Sequence, residues 1–395
     1  MTEPADRGPV LRRRIEADLD SLREKSQFRT LETAPGINLC SNDYLGLAYD
    51  PRLKQAVASA LAESAAIGGT GSRLLSGNAP EWAALESAFA EYSGTEAALY
   101  FTSGYAANLG LLGSLLKPGD VVFSDALNHA SLIDGMRISG ATKVIYPHRD
   151  TEYLAHALRQ HSGGTGARVI VSETVFSMEG DVAPLEDLLR LARDHGAEIV
   201  LDEAHATGTR GPRGRGIAAE LGAERNVLAI VHTCGKALAS AGGFVCGGKM
   251  LRNYLINHAR TFIFGTAMPP YLARQIEAAL GLARAADAER AHLRAISMAL
   301  RKGLTAAGIP CGTSSTHIVP ILLGSNEMAL HMAAELQRLG FGVKAIRPPT
   351  VPAGTARIRV SLTSRILQED IRRLIAGAEA AWQSGRRTFA GVAHV

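Results

Sequence analysis

The sequence predicts an α/β fold: a mainly parallel β-sheet with helices on both faces, followed by a smaller α+β domain. From about residue 50 onward, short apolar runs alternate with stretches of helical periodicity. Strands that alternate with helices in this way are joined by crossover connections, which give a parallel sheet buried on both faces. Near the C-terminus, apolar runs at 317–323 and 357–362 flank helical stretches at 327–339 and 368–383, an order typical of an α+β unit.

The individual elements follow from the periodicity of the apolar residues. Leucine and isoleucine recur at helical spacing through residues 10–25, which predicts an amphipathic N-terminal helix. A short strand is expected to begin at 37–39, and one long helix rich in Ala, Arg and Leu at 271–304. Further helices are predicted at 51–64, 81–92, 150–161 and 184–195. Strands are predicted at 97–101, 121–123, 143–146, 169–171, 199–201, 227–231 and 244–246.

The length of 395 residues exceeds that of one compact unit. We expect residues 1–49 to form the N-terminal helix and short strand, and residues 50–290 to form a large α/β domain that holds the ligand. Residues 291–395 are expected to form the small α+β domain. The chain contains no internal repeats and no low-complexity segments.

The composition excludes several classes of protein. The net charge of +4 is small for this length and does not indicate a protein that binds nucleic acid. No stretch approaches the ~18 uncharged apolar residues of a membrane span, and the polar, acidic N-terminus does not have the form of a signal peptide. Four scattered cysteines favour reduced thiols over a disulfide framework. We therefore expect a cytoplasmic protein that binds neither nucleic acid nor membrane.

A Ser-Gly pair follows the first strand of the predicted sheet. Ser103 and Gly104 open a helix, and the free backbone N–H groups and positive dipole end at such a point suit a phosphate group. A simple strand-to-helix turn is the alternative interpretation of this pair.

Ionisable side chains follow three more of the predicted strands. His129 follows one strand, Asp202 and His205 follow another, and Lys236 follows a third. Because ligands bind at the carboxyl ends of the strands in an open parallel sheet, we expect these side chains to meet in one site.

The combination of these residue types indicates a particular chemistry. Burying a lysine amine costs free energy unless the amine is paired or takes part in the chemistry of the site. Such an amine can form an imine with an aldehyde. Asp202 could then hold a pyridine nitrogen protonated, as pyridoxal phosphate requires, while His129 stacks on the ring and His205 reaches its phenolic oxygen. The alternative is that Asp125 and His129, or Asp202 and His205, bind a metal ion, although Lys236 would place a cation beside it.

Seven motifs of the chain resemble those of the α-oxoamine synthases, a family of fold-type I pyridoxal-phosphate enzymes. The resemblance covers nearly the whole chain. It implies a mostly parallel seven-stranded central sheet, a smaller α+β C-terminal domain and an N-terminal helical segment. The motifs are SNDYLG at 41–46, GTGSRLLSG at 69–77, SGYAAN at 103–108, NHAS at 128–131, FSMEGD at 176–181, DEAH at 202–205 and TCGK at 233–236.

The resemblance implies a role for each matched residue near the cofactor, pyridoxal 5′-phosphate. Lys236 would carry it as a Schiff base, Asp202 would pair with its ring nitrogen, His129 would stack on the ring and His205 would bond its phenolic oxygen. These four would be the catalytic residues. The other residues that would surround the cofactor are Gly104, Tyr105, Ser177 and Thr233, and Thr266 would reach the phosphate from the second subunit of a homodimer.

The resemblance also implies substrate contacts. Asn42 and Arg359 would hold the carboxylate of the amino acid, a task that suits the planar, bidentate guanidinium group. Arg29 and Thr350 match positions that contact the acyl donor. Trp82 and His317 lie in stretches that depart from the family pattern, and either could bear on the tunnel for the acyl chain.

The run at 345–357 most resembles the branch of the family that makes 8-amino-7-oxononanoate for biotin biosynthesis. The implied reaction condenses L-alanine with pimeloyl-CoA or pimeloyl-acyl carrier protein and releases carbon dioxide and the thiol carrier. The freed amine of Lys236 would remove the α-proton as a general base. The alternatives are a glycine C-acetyltransferase, another α-oxoamine synthase with a different amino acid or acyl thioester, and a cofactor-binding protein without turnover.

Overall fold

The computed structural model describes residues 9–33 and 36–389. None of the helices in these two ranges combines the length and the apolar character needed to cross a membrane. The helices are α1 Val10–Glu24, α2 Pro51–Glu63, α3 Pro80–Ser93, α4 Gly104–Leu115, α5 Ala130–Ser139, α6 Thr151–Gln160, α7 Leu185–His195, α8 Ile217–Glu220, α9 Lys249–His258, α10 Arg260–Ile263, α11 Pro270–Arg284, α12 Asp287–Ala306, α13 Asn326–Arg338 and α14 Gln368–Thr388. The strands are β1 Ile37–Asn38, β2 Ala97–Phe101, β3 Val121–Asp125, β4 Thr142–Tyr146, β5 Arg168–Glu173, β6 Glu198–Asp202, β7 Ala229–Thr233, β8 Gly243–Gly247, β9 Ile318–Gly324, β10 Phe341–Gly342, β11 Ala345–Ile346 and β12 Ala356–Ser361.

Seven strands form the central sheet in the spatial order β2-β8-β7-β6-β5-β3-β4. Strand β8 is antiparallel to both of its neighbours, and every other pair in the sheet is parallel. The predicted α/β fold with a mostly parallel seven-stranded sheet is confirmed. Each of the seven apolar runs overlaps one of these strands. Most of the strands need apolar side chains at consecutive positions because they are covered on both faces, whereas the edge strand β4 is mostly exposed.

Helices cover the two faces of this sheet through separate apolar clusters. On one face, Val200 belongs to a buried cluster that includes Leu111 of α4 and Leu132 of α5. On the opposite face, the next residue along β6, Leu201, belongs to a cluster that includes Leu188 of α7. The carboxyl ends of the parallel strands are thus held at one edge of a rigid three-layer structure.

The C-terminal part of the chain contains a second sheet. Strands β11, β12 and β9 form it in that order, and both of its pairs are antiparallel. The short strand β1 pairs in parallel with β10, so the N-terminal segment is joined to the C-terminal part by backbone hydrogen bonds. The domain boundaries at residues 49 and 290 stay predictions.

The single long helix predicted at 271–304 is wrong. The structure has two helices there, α11 and α12, which are separated at residues 285–286. The buried guanidinium of Arg290 donates a hydrogen bond to the carbonyl oxygen of Ala283 at 2.6 Å, one of the carbonyls that a helix end leaves without an intrahelical partner. No glycine or proline marks this break, so the apolar periodicity continues through it.

The predicted N-terminal helix is present as α1, but it buries none of its side chains within the described part of the chain. Leu11 and Ile15 on its apolar face are 56% and 49% exposed. The sequence pattern therefore predicts the helix correctly, whereas the burial that normally stabilises an amphipathic helix is missing in the single chain.

Candidate active site

A cavity of about 280 Å³ lies at the carboxyl ends of the central strands. The parallel strands β5, β6 and β7 bring their last residues to this edge, and the N-terminus of α4 closes one side. Eight of the predicted site residues line the cavity, and they are Asn42, Gly104, Tyr105, His129, Asp202, His205, Thr233 and Lys236.

Lys236 lies, partly buried, in the turn that joins β7 to β8. The turn is held by two backbone hydrogen bonds of Cys234, to Gly242 and from Ser240. Burial lowers the pKa of the Lys236 amine to about 8, against the opposing attraction of nearby carboxylates, of which Asp202 is the strongest. The amine is therefore available as a neutral nucleophile or base at a mildly alkaline pH.

His205 is in direct contact with this amine. Its Nε2 atom lies 3.0 Å from Nζ of Lys236, and its Nδ1 atom lies 2.5 Å from the hydroxyl of Tyr44. Burial lowers the pKa of His205 well below its usual range, and the charge of Lys236 adds to this effect. The ring is thus neutral, and its orientation is fixed by a partner on each nitrogen.

Asp202 is held rigidly on the cavity floor. Its Oδ1 atom accepts a hydrogen bond from the backbone N–H of Ala204 at 2.8 Å, and its Oδ2 atom accepts one from Nδ2 of Asn108 at 2.7 Å. Asn108 also donates to the hydroxyl of Ser131, which lies 2.8 Å from Nδ1 of His129. One hydrogen-bonded network therefore fixes Asp202 and His129 relative to each other.

The N-terminus of α4 faces the same cavity. The hydroxyl of Ser103 caps this helix by accepting a hydrogen bond from the N–H of Ala106 at 3.0 Å. A Cβ atom added to Gly104 would lie 2.4 Å from Cγ2 of Thr233, so a glycine is required for the helix and the strand to approach so closely. The dipole and free amides of this helix end suit an anionic group.

The predicted carboxylate-binding pair is also assembled. Nη1 of Arg359 donates to Oδ1 of Asn42 at 3.1 Å, and Nε of Arg359 donates to the carbonyl oxygen of Ser177. Ser177 thus contacts Arg359 through its backbone and does not line the cavity. Its predicted contact with the cofactor stays a prediction.

Three predicted residues lie away from the cavity. Arg29 and Thr350 are exposed and contact each other, with 3.1 Å between Nη2 of Arg29 and the hydroxyl of Thr350. Thr266 lies in a separate recess beside Trp82 and Arg73. The single chain therefore brings Arg29 and Thr350 together, but it does not bring Thr266 to the cavity.

A family model described as aminotransferase class I and II matches residues 34–377. The chain belongs to this family. Among its relatives, 8-amino-7-oxononanoate synthase from Alkalilimnicola ehrlichii is 44% identical over 85% of this chain and 86% of that protein. The synthase of the same name from Geobacter sulfurreducens is 42% identical over 92% of this chain and 96% of that protein.

A solved relative shows the same architecture. A lysine-to-alanine variant of serine palmitoyltransferase from S. paucimobilis, with a bound PLP–myriocin aldimine, has a TM-score of 0.88 and is 30% identical, over 95% of this chain and 99% of that one. The sequence relatives named 8-amino-7-oxononanoate synthase are therefore closer in identity than this solved structure, although the folds agree closely. The family predicted from the sequence motifs is confirmed.

One carboxyl group in the cavity, that of Glu173, was not predicted from the sequence. Glu173 ends β5 beside Asp202, its register partner on β6, and it lines the cavity. Its Oε1 atom is buried and has no hydrogen-bond partner among the described residues, and burial raises its pKa well above the usual range. Its position after the predicted strand at 169–171 is the signal that could have identified it.

Three polar residues that support the cavity were not predicted either. Tyr44, Asn108 and Ser131 each bond a predicted site residue, as described above. All three lie within the recognised motifs, but the partners of Tyr44 and Asn108 are distant in sequence and could be identified only in the folded chain. Within the described residues, no group of three or more His, Cys, Asp or Glu side chains could hold a metal ion.

Proposed function

We propose that this protein is a pyridoxal-phosphate-dependent acyltransferase that condenses L-alanine with a pimeloyl thioester. The products are 8-amino-7-oxononanoate, carbon dioxide and the free thiol carrier, either coenzyme A or acyl carrier protein. One observation carries the proposal: a buried lysine amine shares a cavity with a carboxylate and two imidazoles, in a chain 44% identical to a protein named 8-amino-7-oxononanoate synthase. A cytoplasmic location accords with such a biosynthetic role.

The residues present fit the cofactor. The amine of Lys236 suits its aldehyde, the fixed carboxylate of Asp202 suits its ring nitrogen, and the N-terminus of α4 at Gly104 suits its phosphate. His129 lies on the cavity wall with its ring held by Ser131. When bound, pyridoxal phosphate supplies an electron sink for the charge that develops at the α-carbon of the amino acid.

The residues of the chain would act on the substrate as follows. Arg359 and Asn42, already in contact, would hold the carboxylate of the amino acid and so fix which bond at the α-carbon faces Lys236. The Lys236 amine would take the α-proton as general base, because its lowered pKa leaves part of it neutral near pH 8. His205, neutral and fixed by Tyr44, would orient the amine.

We further propose that the protein acts as a homodimer. Thr266 lies outside the cavity of its own chain, which supports a role at the site of a second subunit, where the sequence resemblance assigns it to the cofactor phosphate. The exposed apolar face of α1 would also gain burial in an assembly. Sedimentation at the assay concentration tests this: an active monomer would refute it.

A second candidate is another α-oxoamine synthase, and the fold agreement with serine palmitoyltransferase at a TM-score of 0.88 favours it. The identity to that protein is 30%, against 44% to the A. ehrlichii oxononanoate synthase. Because members of one fold differ in their substrates, the higher identity is the stronger argument, and L-alanine with a pimeloyl thioester remains the proposed pair.

Reduction with borohydride tests the cofactor assignment. The protein loaded with pyridoxal phosphate is reduced and digested, and the peptides are mapped by mass spectrometry. We expect the covalent adduct on Lys236 alone, and Lys249, an exposed lysine at the start of α9, serves as the internal control. An adduct on another lysine, or none at all, would overturn the assignment.

A further inference from the structure

A second, larger cavity of about 470 Å³ shares no lining residue with the candidate active site. His317 forms part of its wall, and the ring of His317 packs 4.0 Å from the ring of Tyr44, whose hydroxyl bonds His205. The remaining walls come from α12, the turn at 209–211 and the segment before β9. Its volume is in the range of small-molecule binding sites.

Arginine side chains dominate the charge of this cavity. Two of them are balanced by carboxylates: Arg210 pairs with Glu220 at 3.0 Å, and Arg290 pairs with Asp287 at 2.5 Å. Glu220 is the one acidic residue that lines the cavity within the described part of the chain. The four arginines on the wall are Arg210, Arg290, Arg294 and Arg301.

The other two arginines form no ion pair within the described residues, although the charge of Arg294 also acts on Asp287. Neither Arg294 nor Arg301 has a carboxylate within ion-pair distance among the described residues. Arg301 is half-buried and donates to the carbonyl oxygen of Thr316, and burial lowers its pKa. Leaving the half-buried guanidinium of Arg301 without an anion is unfavourable, and the exposed guanidinium of Arg294 adds a second positive charge to the cavity lining.

The rest of the wall offers neutral donors and an apolar surface. The hydroxyl of Ser315 makes no hydrogen bond within the described residues, and the buried Nε2 atom of His317 has no partner there either. Leu293 and Met298 contribute apolar side chains. This combination suits a ligand with an acidic group at one end and a carbon skeleton at the other.

We propose that this cavity binds a small phosphate monoester, with Arg294 and Arg301 as its charged contacts. A phosphate monoester carries about −1.5 to −2 charge at neutral pH and several strong acceptor oxygens, which matches two unpaired guanidinium groups. Guanidinium groups bind phosphate through paired hydrogen bonds. The site is separate from the catalytic cavity and does not depend on the proposed reaction.

Two residues on the wall of this cavity are hydrogen-bonded to the backbone at or just after His205. The hydroxyl of Thr209, on the cavity wall, donates to the carbonyl oxygen of His205 at 3.0 Å. Arg290, also on the wall, donates to the carbonyl oxygen of Gly208 at 3.3 Å. A bound phosphate monoester would therefore contact the turn that follows His205.

Calorimetric titration tests the proposal. Inorganic phosphate and glycerol 3-phosphate are titrated into the protein loaded with pyridoxal phosphate, so that the cofactor already fills the catalytic phosphate site. We expect one saturable site per chain for each probe. Arg294→Gln and Arg301→Gln should each weaken binding at least about fivefold, the loss expected for one partly screened charge-assisted hydrogen bond.

Arg274→Gln is the matched control, because Arg274 lines another surface cavity but pairs there with Glu63. It should leave the affinity unchanged. Arg294 is exposed and makes no hydrogen bond within the described residues, so its variant keeps the test valid if Arg301→Gln fails to fold. The absence of saturable binding to the wild type, or equal affinity in Arg294→Gln and the wild type, would overturn the proposal.

Discussion

At the scale of single residues, the chemistry of the site is set by burial of ionisable groups beside one another. Lys236, with a pKa lowered to about 8, lies near Asp202 and Glu173, and the burial that lowers its pKa also raises the pKa of Glu173. Desolvation disfavours the charged form of either kind of group. The cavity therefore holds a lysine that loses its proton readily and a carboxyl that keeps its proton.

Asp202→Asn tests whether this carboxylate tunes the cofactor. The variant preserves the shape of the side chain but removes the charge that would keep the ring nitrogen protonated, and we expect turnover to fall at least ~100-fold, or ~2.7 kcal/mol. The measurement is kcat under saturating substrates. Asp194→Asn, on the exposed end of α7, is the control. Full activity of Asp202→Asn would mean that the carboxylate has another role.

Glu173→Gln tests whether the missed carboxyl is neutral in the folded protein. Its folded pKa is raised, whereas in the unfolded chain it ionises near 4.5. Unfolding therefore releases a proton above that pH, so this group makes the folded state less stable as the pH rises. We expect the free energy of unfolding of Glu173→Gln, relative to the wild type, to increase between pH 5 and pH 8. A difference that is independent of pH would contradict the assignment.

Single residues of the site were predictable only where a motif or a strand end marked them. Lys236, Asp202, His205 and His129 were found because each follows an apolar run. Glu173 follows such a run as well, but it lacks a recognised motif role and was overlooked. The partners of these residues depend on contacts between distant segments, which the sequence pattern does not specify.

At the scale of elements, one cluster of charged side chains joins several loops around the site. Nδ1 of His148 lies 2.9 Å from a carboxylate oxygen of Asp125, and Nε2 lies 3.1 Å from one of Asp181. Asp181 also accepts a hydrogen bond from the hydroxyl of Thr313 at 2.7 Å. The end of β3, the loop after β4 and the segment before β9 are thereby held together.

The charge of His148 should make this connection sensitive to pH. Burial alone would lower its pKa, but the hydrogen bonds to Asp125 and Asp181 outweigh it and raise the pKa to about 9. Because the folded pKa exceeds the unfolded value of 6.5, the stabilisation is complete below pH 6.5 and is lost as the pH rises toward 9. In His148→Gln, the fall in unfolding free energy between pH 6.5 and 9 should be smaller.

Chemical denaturation across this pH range provides the measurement for His148. His156→Gln, a change of an exposed histidine on α6, is the matched control and should follow the wild type. If His148→Gln also follows the wild type at every pH, the imidazolium does not contribute to stability.

The elements themselves were largely predictable from the sequence. Most of the central strands were identified because they are buried on both faces and form continuous apolar runs, and the edge strand β4, which is mostly exposed, was identified from the short run at 143–146. The break between α11 and α12 was not predictable from the sequence. No glycine or proline marks it, and the feature found at the end of α11 is a hydrogen bond from Arg290. The two-residue strands β10 and β11 are too short to carry a periodicity of their own, and β10 also depends on a pairing partner far away in the sequence, β1.

At the scale of the whole molecule, the fold places a cofactor-type cavity at one edge of the central sheet and a separate cationic cavity beside His317. The first was predictable, because all of the groups proposed as catalytic follow strands of one sheet. The second combines α12 with two segments that are distant in sequence, and the arginines of α12 look like an ordinary solvated helix face until the chain is folded.

The ratio of specificity constants for two substrate pairs tests the proposed function most directly. One pair is L-alanine with a pimeloyl thioester, and the other is glycine with acetyl-CoA. The methyl group of alanine discriminates by only ~1–3 kcal/mol, so some turnover of glycine is expected. Each buried methylene of the acyl chain adds ~0.8 kcal/mol, so the acyl donor should discriminate more strongly.

We predict a larger kcat/KM for L-alanine with the pimeloyl thioester, with 8-amino-7-oxononanoate and carbon dioxide as products. Crossed pairs, in which one substrate is exchanged at a time, separate the contribution of the amino acid from that of the acyl donor. A larger kcat/KM for glycine with acetyl-CoA would contradict the account. The protein would then be a glycine C-acetyltransferase, and the assignment of Arg29 and Thr350 to a pimeloyl site would be wrong.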